Sequence, residues 1–207
     1  MTSAALGTGS GAPPLPRVAA GAAVASGVCL VVLHVVRPAL DPAWSVVSQY
    51  AVGAHGWLMA GTFLLLAAAC ACLAVALTSA RLHRAGRIGR VLLAVAAAGL
   101  VVAALFPVGT ALHEVGSLLG NVGLALGAVL VGRDLRRALH PLARRWSAAA
   151  AHAPWVLAVV MAALISTNTW GVGLANRAVV VAYIVWLALA AHQLRTSIPE
   201  RGAARRE

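Results

Sequence analysis

The sequence predicts an all-α polytopic membrane bundle of six transmembrane helices with both termini cytoplasmic, and three observations carry that expectation. First, 61% of the 207 residues are hydrophobic and 10% are charged, with a mean hydropathy of +0.89. A soluble domain has about 45–50% apolar and about 25% charged residues. Second, the apolar residues gather into six runs, each close to the ~20 residues that cross a bilayer. Third, the 16 basic residues, against 5 acidic ones for a formal net charge of +11, sit in short clusters between those runs. In a soluble chain such a charge suggests nucleic-acid binding, but this distribution argues against it, and no nucleic-acid partner is expected. Every basic residue is Arg and none is Lys, which removes P-loop, Schiff-base and general-base lysine chemistry.

Residues 1–17 read as a disordered tail rich in Gly, Ala, Ser and Pro, with no charged side chain before Arg17. The first span, Val18 to Val36, is longer than a signal-peptide apolar region and is expected to remain as a helix. Cys29 follows Val28, where a lipoprotein cleavage site requires a small residue, so no lipid anchor is expected. The second span runs from Trp57 to Ser79 and holds Cys70 and Cys72, which inside an apolar run behave as small hydrophobes and form no CxxC site. The third, Ile88 to Phe106, ends at Pro107. In the fourth, Leu112 to Val131, Gly116, Gly120, Gly123 and Gly127 fall on one helical face. Such a stripe lets two backbones approach closely in lipid; an intramolecular contact is the expectation, with homo-oligomerisation left open. The fifth span is Ala148 to Ser166 and the sixth Ala178 to Leu194. The membrane domain is therefore 18–194, followed by a basic tail, 195–207.

Alternate sides of the bundle carry 14 and 2 of the arginines. By the positive-inside rule the richer side, with both termini, is cytoplasmic. Inner-leaflet anionic lipids are the expected partners of its Arg clusters, besides the bilayer itself. The abundance of Ala and Arg with no Lys suits a GC-rich bacterial genome, so the expected location is the bacterial inner, or plasma, membrane. Trp44, Trp57 and Trp170 mark the outer interface and Trp146 the inner one.

Most unusual polar residues fall on the outer side. The first connection, Arg37 to Gly56, contains Asp41, Ser45, Ser48, Gln49, Tyr50 and His55, and apolar spacing from Trp44 to Val52 predicts a short interfacial helix, with Asp41 as its N-cap and Pro42 at its first position. The third connection, also on the outer side, runs from Phe106 to Gly116 and brings His113 and Glu114 to the start of span four. Val52–His55 and Val108–His113 are loosely alike, which places His55 and His113 at similar depth at helix N-termini, where a neutral imidazole is favoured. Asn121 is expected to face protein, and Arg177 is placed to pair with Asp41, Glu114 or a lipid phosphate.

Asp41, His55, His113 and Glu114 supply the ligand types of a divalent metal site, with His55 and His113 as the metal candidates, and Asp41, Ser48, His55, His113 and Glu114 as the catalytic candidates. No HExxH or GxSxG motif accompanies them. Haem between His34 and His55 or His113 is a third option. His83, His140, His152 and His192 read as interfacial residues beside the Arg clusters. Tyr50, Asn121 and Arg177 are the ligand-binding candidates. No carboxylate lies mid-span, which disfavours a carboxylate-driven pump.

Asp41-Pro42, Ser48-Gln49-Tyr50-Ala51-Val52-Gly53 with Trp57, and Phe106-Pro107 followed by His113 together resemble the DUF998 family of six-helix bacterial and archaeal membrane proteins. The likeness extends over about residues 18 to 195. It implies a six-span fold and an outer-face cluster of Asp41, Ser48, Tyr50 and His113, and it implies no substrate or reaction. Family members often place an acidic residue soon after Phe-Pro, where this chain has Val108 and Gly109; that departure weakens a metal site drawing on this loop. The expected function is binding of a lipid or small amphiphile, or a partner, in an outward polar pocket between spans two and four. A metal-dependent intramembrane hydrolase and a haem protein are the alternatives, and enzymatic activity is left open.

Overall fold

The computed structural model describes residues 15–167 and 169–197, which form six long helices, joined by short segments, and no strand. The helices are α1 Leu15–Val36, α2 Gly56–Ala76, α3 Arg84–Leu105, α4 Ala111–Leu135, α5 Pro141–Ser166 and α6 Val172–Ser197. Short 3-10 turns, Leu77–Ser79 and Arg136–Ala138, extend α2 and α4. All six helices are long and apolar enough to cross a membrane, and the protein is a multi-pass integral membrane protein. The expected tails lie mostly outside the described residues, except that α1 already begins at Leu15 and α6 runs on to Ser197.

Several helices are longer than the apolar runs from which they were read. α3 starts at Arg84 rather than Ile88, and α5 at Pro141 rather than Ala148. The reason is that a helix satisfies its backbone equally well in the headgroup region, where arginines turn their guanidinium groups to water. Hydropathy marks the hydrocarbon layer, and the hydrogen-bonded helix outlasts it.

Each helix packs on its neighbours in sequence, and α6 returns to pack on α1, so the bundle is a closed ring with α6 also touching α2 and α4. At the α6–α1 seam, Gly27 accommodates the Ile184 side chain. The most extensive contact is between α3 and α4, and the glycine stripe makes it. A Cβ on Gly116 would stand 2.7 Å from both the Ala103 nitrogen and the Gly99 carbonyl oxygen, and one on Gly123 would stand 2.8 Å from the Leu92 oxygen. α3 answers with glycines of its own: a Cβ on Gly99 would meet the Gly116 oxygen at 2.7 Å. The stripe thus forms the expected intramolecular contact. The outward faces are valine- and leucine-rich, with Val28, Val31, Val35, Leu118 and Val159 all exposed, as the surface of a lipid-embedded bundle is.

The connections after α2 and α4 hold most of the loop arginines and define the arginine end of the bundle. There, Asp134 at the end of α4 has a side chain only 4% exposed. Its Oδ2 accepts from the His83 backbone nitrogen at 2.8 Å, and its Oδ1 lies 3.2 Å from His83 Nδ1 and 3.5 Å from Arg137. His83 is the cap residue of α3 and supplies no side-chain cap of its own. A carboxylate from the neighbouring helix therefore satisfies a free amide at the start of α3, where negative charge is favoured.

At the opposite, far end, the first connection departs from the expected short α-helix. Asp41 Oδ1 accepts from the Ala43 nitrogen at 2.8 Å, and the Asp41 carbonyl accepts from the Ser45 nitrogen at 2.8 Å, closing a turn. A 3-10 helix then spans Val47–Ala51, preceded by an extended Val46 that gives no side-chain cap. Asp41 caps the turn, and not the helix. The cause is tertiary: the carbonyls of Pro42 and Ser45, which an α-helix would use internally, are taken by Arg177 of α6 at 3.0 and 2.6 Å.

Candidate functional site

The far end holds a cavity of about 140 Å³ bounded by Val46–Ser48 and by residues of α2 to α6. Phe63, Leu66, Leu100, Leu124, Met161 and Val180 give it apolar walls, and Ser48, His113, Glu114, Ser117, Asn121, Asn176 and Tyr183 contribute polar groups.

His113 is placed by the end of one helix and the start of the next. Phe106-Pro107 stops α3, and Thr110 caps α4, its side chain accepting from the His113 nitrogen at 3.3 Å. This turns the imidazole back under α3, where Nδ1 lies 2.9 Å from the Ala103 oxygen and 3.2 Å from the Phe106 oxygen. Both neighbours are acceptors, so Nδ1 carries a hydrogen and donates it to them. The ring is 2% exposed and meets Phe63 edge-on at 6.0 Å between centroids. Its first duty is thus to satisfy the last carbonyls of α3. Deeper in, Tyr183 donates to the Asn121 carbonyl at 2.9 Å and Asn121 Nδ2 donates to the Ser117 carbonyl at 2.8 Å, holding α6 to the half-buried polar stretch of α4. Asn176 ties the cavity wall to α6, its Oδ1 accepting from the Val47 nitrogen at 2.7 Å.

The seam between α4 and α5 is closed towards the arginine end, where a Cβ on Gly132 would meet the Ala151 side chain at 2.9 Å. Towards the far end the two lining residues Glu114 and Ile165 are exposed, Ile165 by 53%, so the cavity lining reaches the surface of the bundle there.

Arg177 occupies a separate polar knot beside the cavity. Its Nε donates to His34 Nε2 at 2.7 Å; NH1 reaches the Pro42, Ser45 and Gly173 carbonyls; NH2 reaches the Tyr50 hydroxyl at 3.2 Å. Tyr50 is 1% exposed, with the guanidinium 5.7 Å above its ring and His34 stacked obliquely at 5.1 Å. Gly173 permits this approach, because a Cβ there would lie 2.4 Å from the Pro42 oxygen.

A match to the family described as "Protein of unknown function (DUF998)" runs over residues 18–193, nearly the whole helical bundle. The chain belongs to the DUF998 family. No curated protein and no solved structure matches it.

Of the outer-face cluster that the DUF998 resemblance implied, the structure brings Ser48 and His113 to one cavity and separates the other two. Asp41 is exposed in its turn, and Tyr50 belongs to the Arg177 knot. His55 precedes α2, makes no side-chain cap bond, and does not line the cavity. Glu114 stands at the cavity rim and Asn121 inside it. Arg177 takes His34, Tyr50 and backbone carbonyls as partners in place of the expected Asp41 or Glu114. Among the described residues no three His, Cys, Asp or Glu side chains are grouped so as to hold a metal ion. His34, the first haem candidate, has both ring nitrogens engaged, Nδ1 with the Leu30 carbonyl at 2.7 Å and Nε2 with Arg177. Asn168, a polar residue that the sequence places in the last outer connection, lies outside the described residues. Sequence reading missed Ser117, Tyr183 and Asp134. Tyr183, one of two tyrosines in the chain and mid-way along an apolar helix, and Asp134, an acid within an arginine-rich stretch, were the available signals.

Proposed function

We propose that this DUF998 protein binds one end of a lipid or small amphiphile in the far-end cavity, and that the ligand enters from the bilayer between α4 and α5. The observation that carries this reading is a mixed polar and apolar cavity whose lining includes the exposed Glu114 of α4 and Ile165 of α5, on a bundle with a valine- and leucine-rich surface. Its volume of about 140 Å³ is below the ~300 Å³ of the smallest usual ligand pockets. It suits a headgroup fragment or chain end, with the rest of the molecule left in lipid. Apolar walls would take the hydrocarbon and the hydroxyl, amide and imidazole groups would orient the polar end.

Ser117→Phe, which fills the cavity from α4, is expected to lower co-purified lipid several-fold relative to wild type while leaving the thermal midpoint within about 2–4 °C, the shift that corresponds to roughly 1 kcal/mol. Lipid extraction and mass spectrometry of the detergent-purified proteins measures this. Equal lipid content in wild type and variant would defeat the reading.

The arginine end is proposed to face the cytoplasm of a bacterial inner membrane, with both termini on that side. The support is the division of 14 and 2 arginines between the two sides. Green fluorescent protein fused to the C-terminus is expected to fluoresce and alkaline phosphatase fused there to be inactive; an active phosphatase with a dark fluorescent fusion reverses the topology.

A further inference from the structure

A second cavity lies at the arginine end, remote from the one described above, with a volume of about 360 Å³ and walls made by Arg133, Arg136, Arg137 and Arg144. From this convergence we infer that the junction of α4 and α5 is a binding site for the phosphate group of an anionic glycerophospholipid.

Arg137 already faces the Asp134 carboxylate at 3.5 Å, but the guanidinium groups of Arg133, Arg136 and Arg144 have no acid among the residues lining this space and repel one another unless an anion joins them. Asp134 does not line this cavity, and its carboxylate is turned to the start of α3, where it holds the His83 amide and the Arg137 guanidinium. The fold holds two of these arginines, Arg137 and Arg144. Arg144 NH2 donates back to the Arg137 and Leu139 carbonyls at 3.3 and 3.4 Å, tying the start of α5 to the turn after α4. Arg137 also lies against the His83 ring.

α5 also begins without compensation for its dipole. Its cap residue His140 makes no side-chain cap bond and its first turn holds no acidic residue, although negative charge is favoured there. An anion in this cavity would answer both deficits. Planar guanidinium groups grip phosphate oxygens in pairs, which an ammonium cannot do.

The position selects a lipid over a soluble phosphate. Leu142 and Trp146 lie on one face of α5, one turn apart, and are 61% and 71% exposed. Further along the same face the exposed Val156 and Val160 continue an apolar track for an acyl chain. Basic pockets at the ends of membrane helices recognise such headgroups.

The test uses the full-length protein in neutral detergent, titrated with phosphatidylglycerol or phosphatidylcholine, with bound lipid counted by native mass spectrometry. Phosphatidylglycerol is expected to be retained in preference to phosphatidylcholine. Arg133→Gln/Arg136→Gln is expected to weaken that retention about 25-fold, roughly fivefold for each arginine. Arg81→Gln/Arg87→Gln, which removes the same charge from the other arginine connection, is expected to change it little. Should the double variant fail to fold, Arg133→Gln alone is expected to show the single fivefold step. Absence of lipid preference, or an equal loss in the Arg81/Arg87 variant, overturns the site. Displacement of phosphatidylglycerol by inorganic phosphate at equal concentration overturns the lipid assignment in favour of a soluble anion.

Discussion

Gly116→Leu is expected to prevent recovery of folded, monodisperse protein, because the α3 and α4 backbones touch where its side chain would have to go. Even a single methyl group meets backbone atoms: the Ala103 nitrogen and the Gly99 oxygen, both at 2.7 Å from the Cβ position. Neither can swing aside as a flexible side chain would, so the helices must separate along the most extensive contact in the bundle. Overpacking of this kind costs about 1–3 kcal/mol for small insertions. Gly116→Ala should therefore lower the thermal midpoint by about 2–4 °C for each kcal/mol in a chain of this size. Gly21→Ala is the contrast. Nothing lies within 4 Å of its Cβ position, and alanine improves helix propensity by about 1 kcal/mol, so the midpoint should stay or rise. A fall of the same size in both variants would mean that the α3–α4 contact is not the source of the effect.

Arg177→Gln is expected to release the first connection from the bundle. The guanidinium satisfies three backbone carbonyls, the His34 ring and the Tyr50 hydroxyl at once. Hydrogen bonds to a charged donor contribute about 1.5–3 kcal/mol each, and the partners left behind lose the group that paired them. The loss is expected to show as hydrogen exchange of the Val47–Ala51 amides at least tenfold faster, with the α3 and α4 amides unchanged; tenfold corresponds to about 1.4 kcal/mol. Arg177→Lys should recover only part of the protection, since an ammonium offers three donors and no planar fork. Unchanged exchange in Arg177→Gln would show that the 3-10 segment is held by Asn176 and apolar packing alone.

These two sites differ in how far they can be read from the sequence. Gly116, Gly120, Gly123 and Gly127 announce themselves because helical spacing and missing side chains are both properties of the letters, and the helix face follows from 3.6 residues per turn. The replies on α3, Gly89 and Gly99, are ten residues apart and show no stripe until the two helices are set side by side. Arg177 was legible as an unusual outward arginine, but its chemistry was not. Three of its partners are carbonyls, which every residue carries and no letter records, and the choice among them depends on Gly173 letting α6 approach the turn after Asp41.

The same limit explains the short helix expected from Trp44 to Val52. Local spacing favoured an α-helix, and a distant guanidinium took the acceptors it needed. The cavity depends on how far α5 stands from α4, a distance set by Gly132 against Ala151 at the other end, so the sequence suggested polar residues near spans two and four without showing that spans five and six complete the wall. Asp134 was overlooked because an acid among arginines looks like simple charge balance, and only the three-dimensional arrangement reveals that it caps α3.

The closed ring bears on how the chain is built as it leaves the ribosome. Because each helix packs on the one before it, the first five can dock in order of synthesis, each finding its partner already in the membrane. The contacts of the last helix, with α1 above all but also with α2 and α4, must wait for the whole chain. Arg177 stands at the seam with α1, so the Pro42 and Ser45 carbonyls and the Tyr50 hydroxyl keep their guanidinium partner only after the final helix has inserted. A nascent chain that ends before Val172 would carry its first connection without the Arg177 contacts.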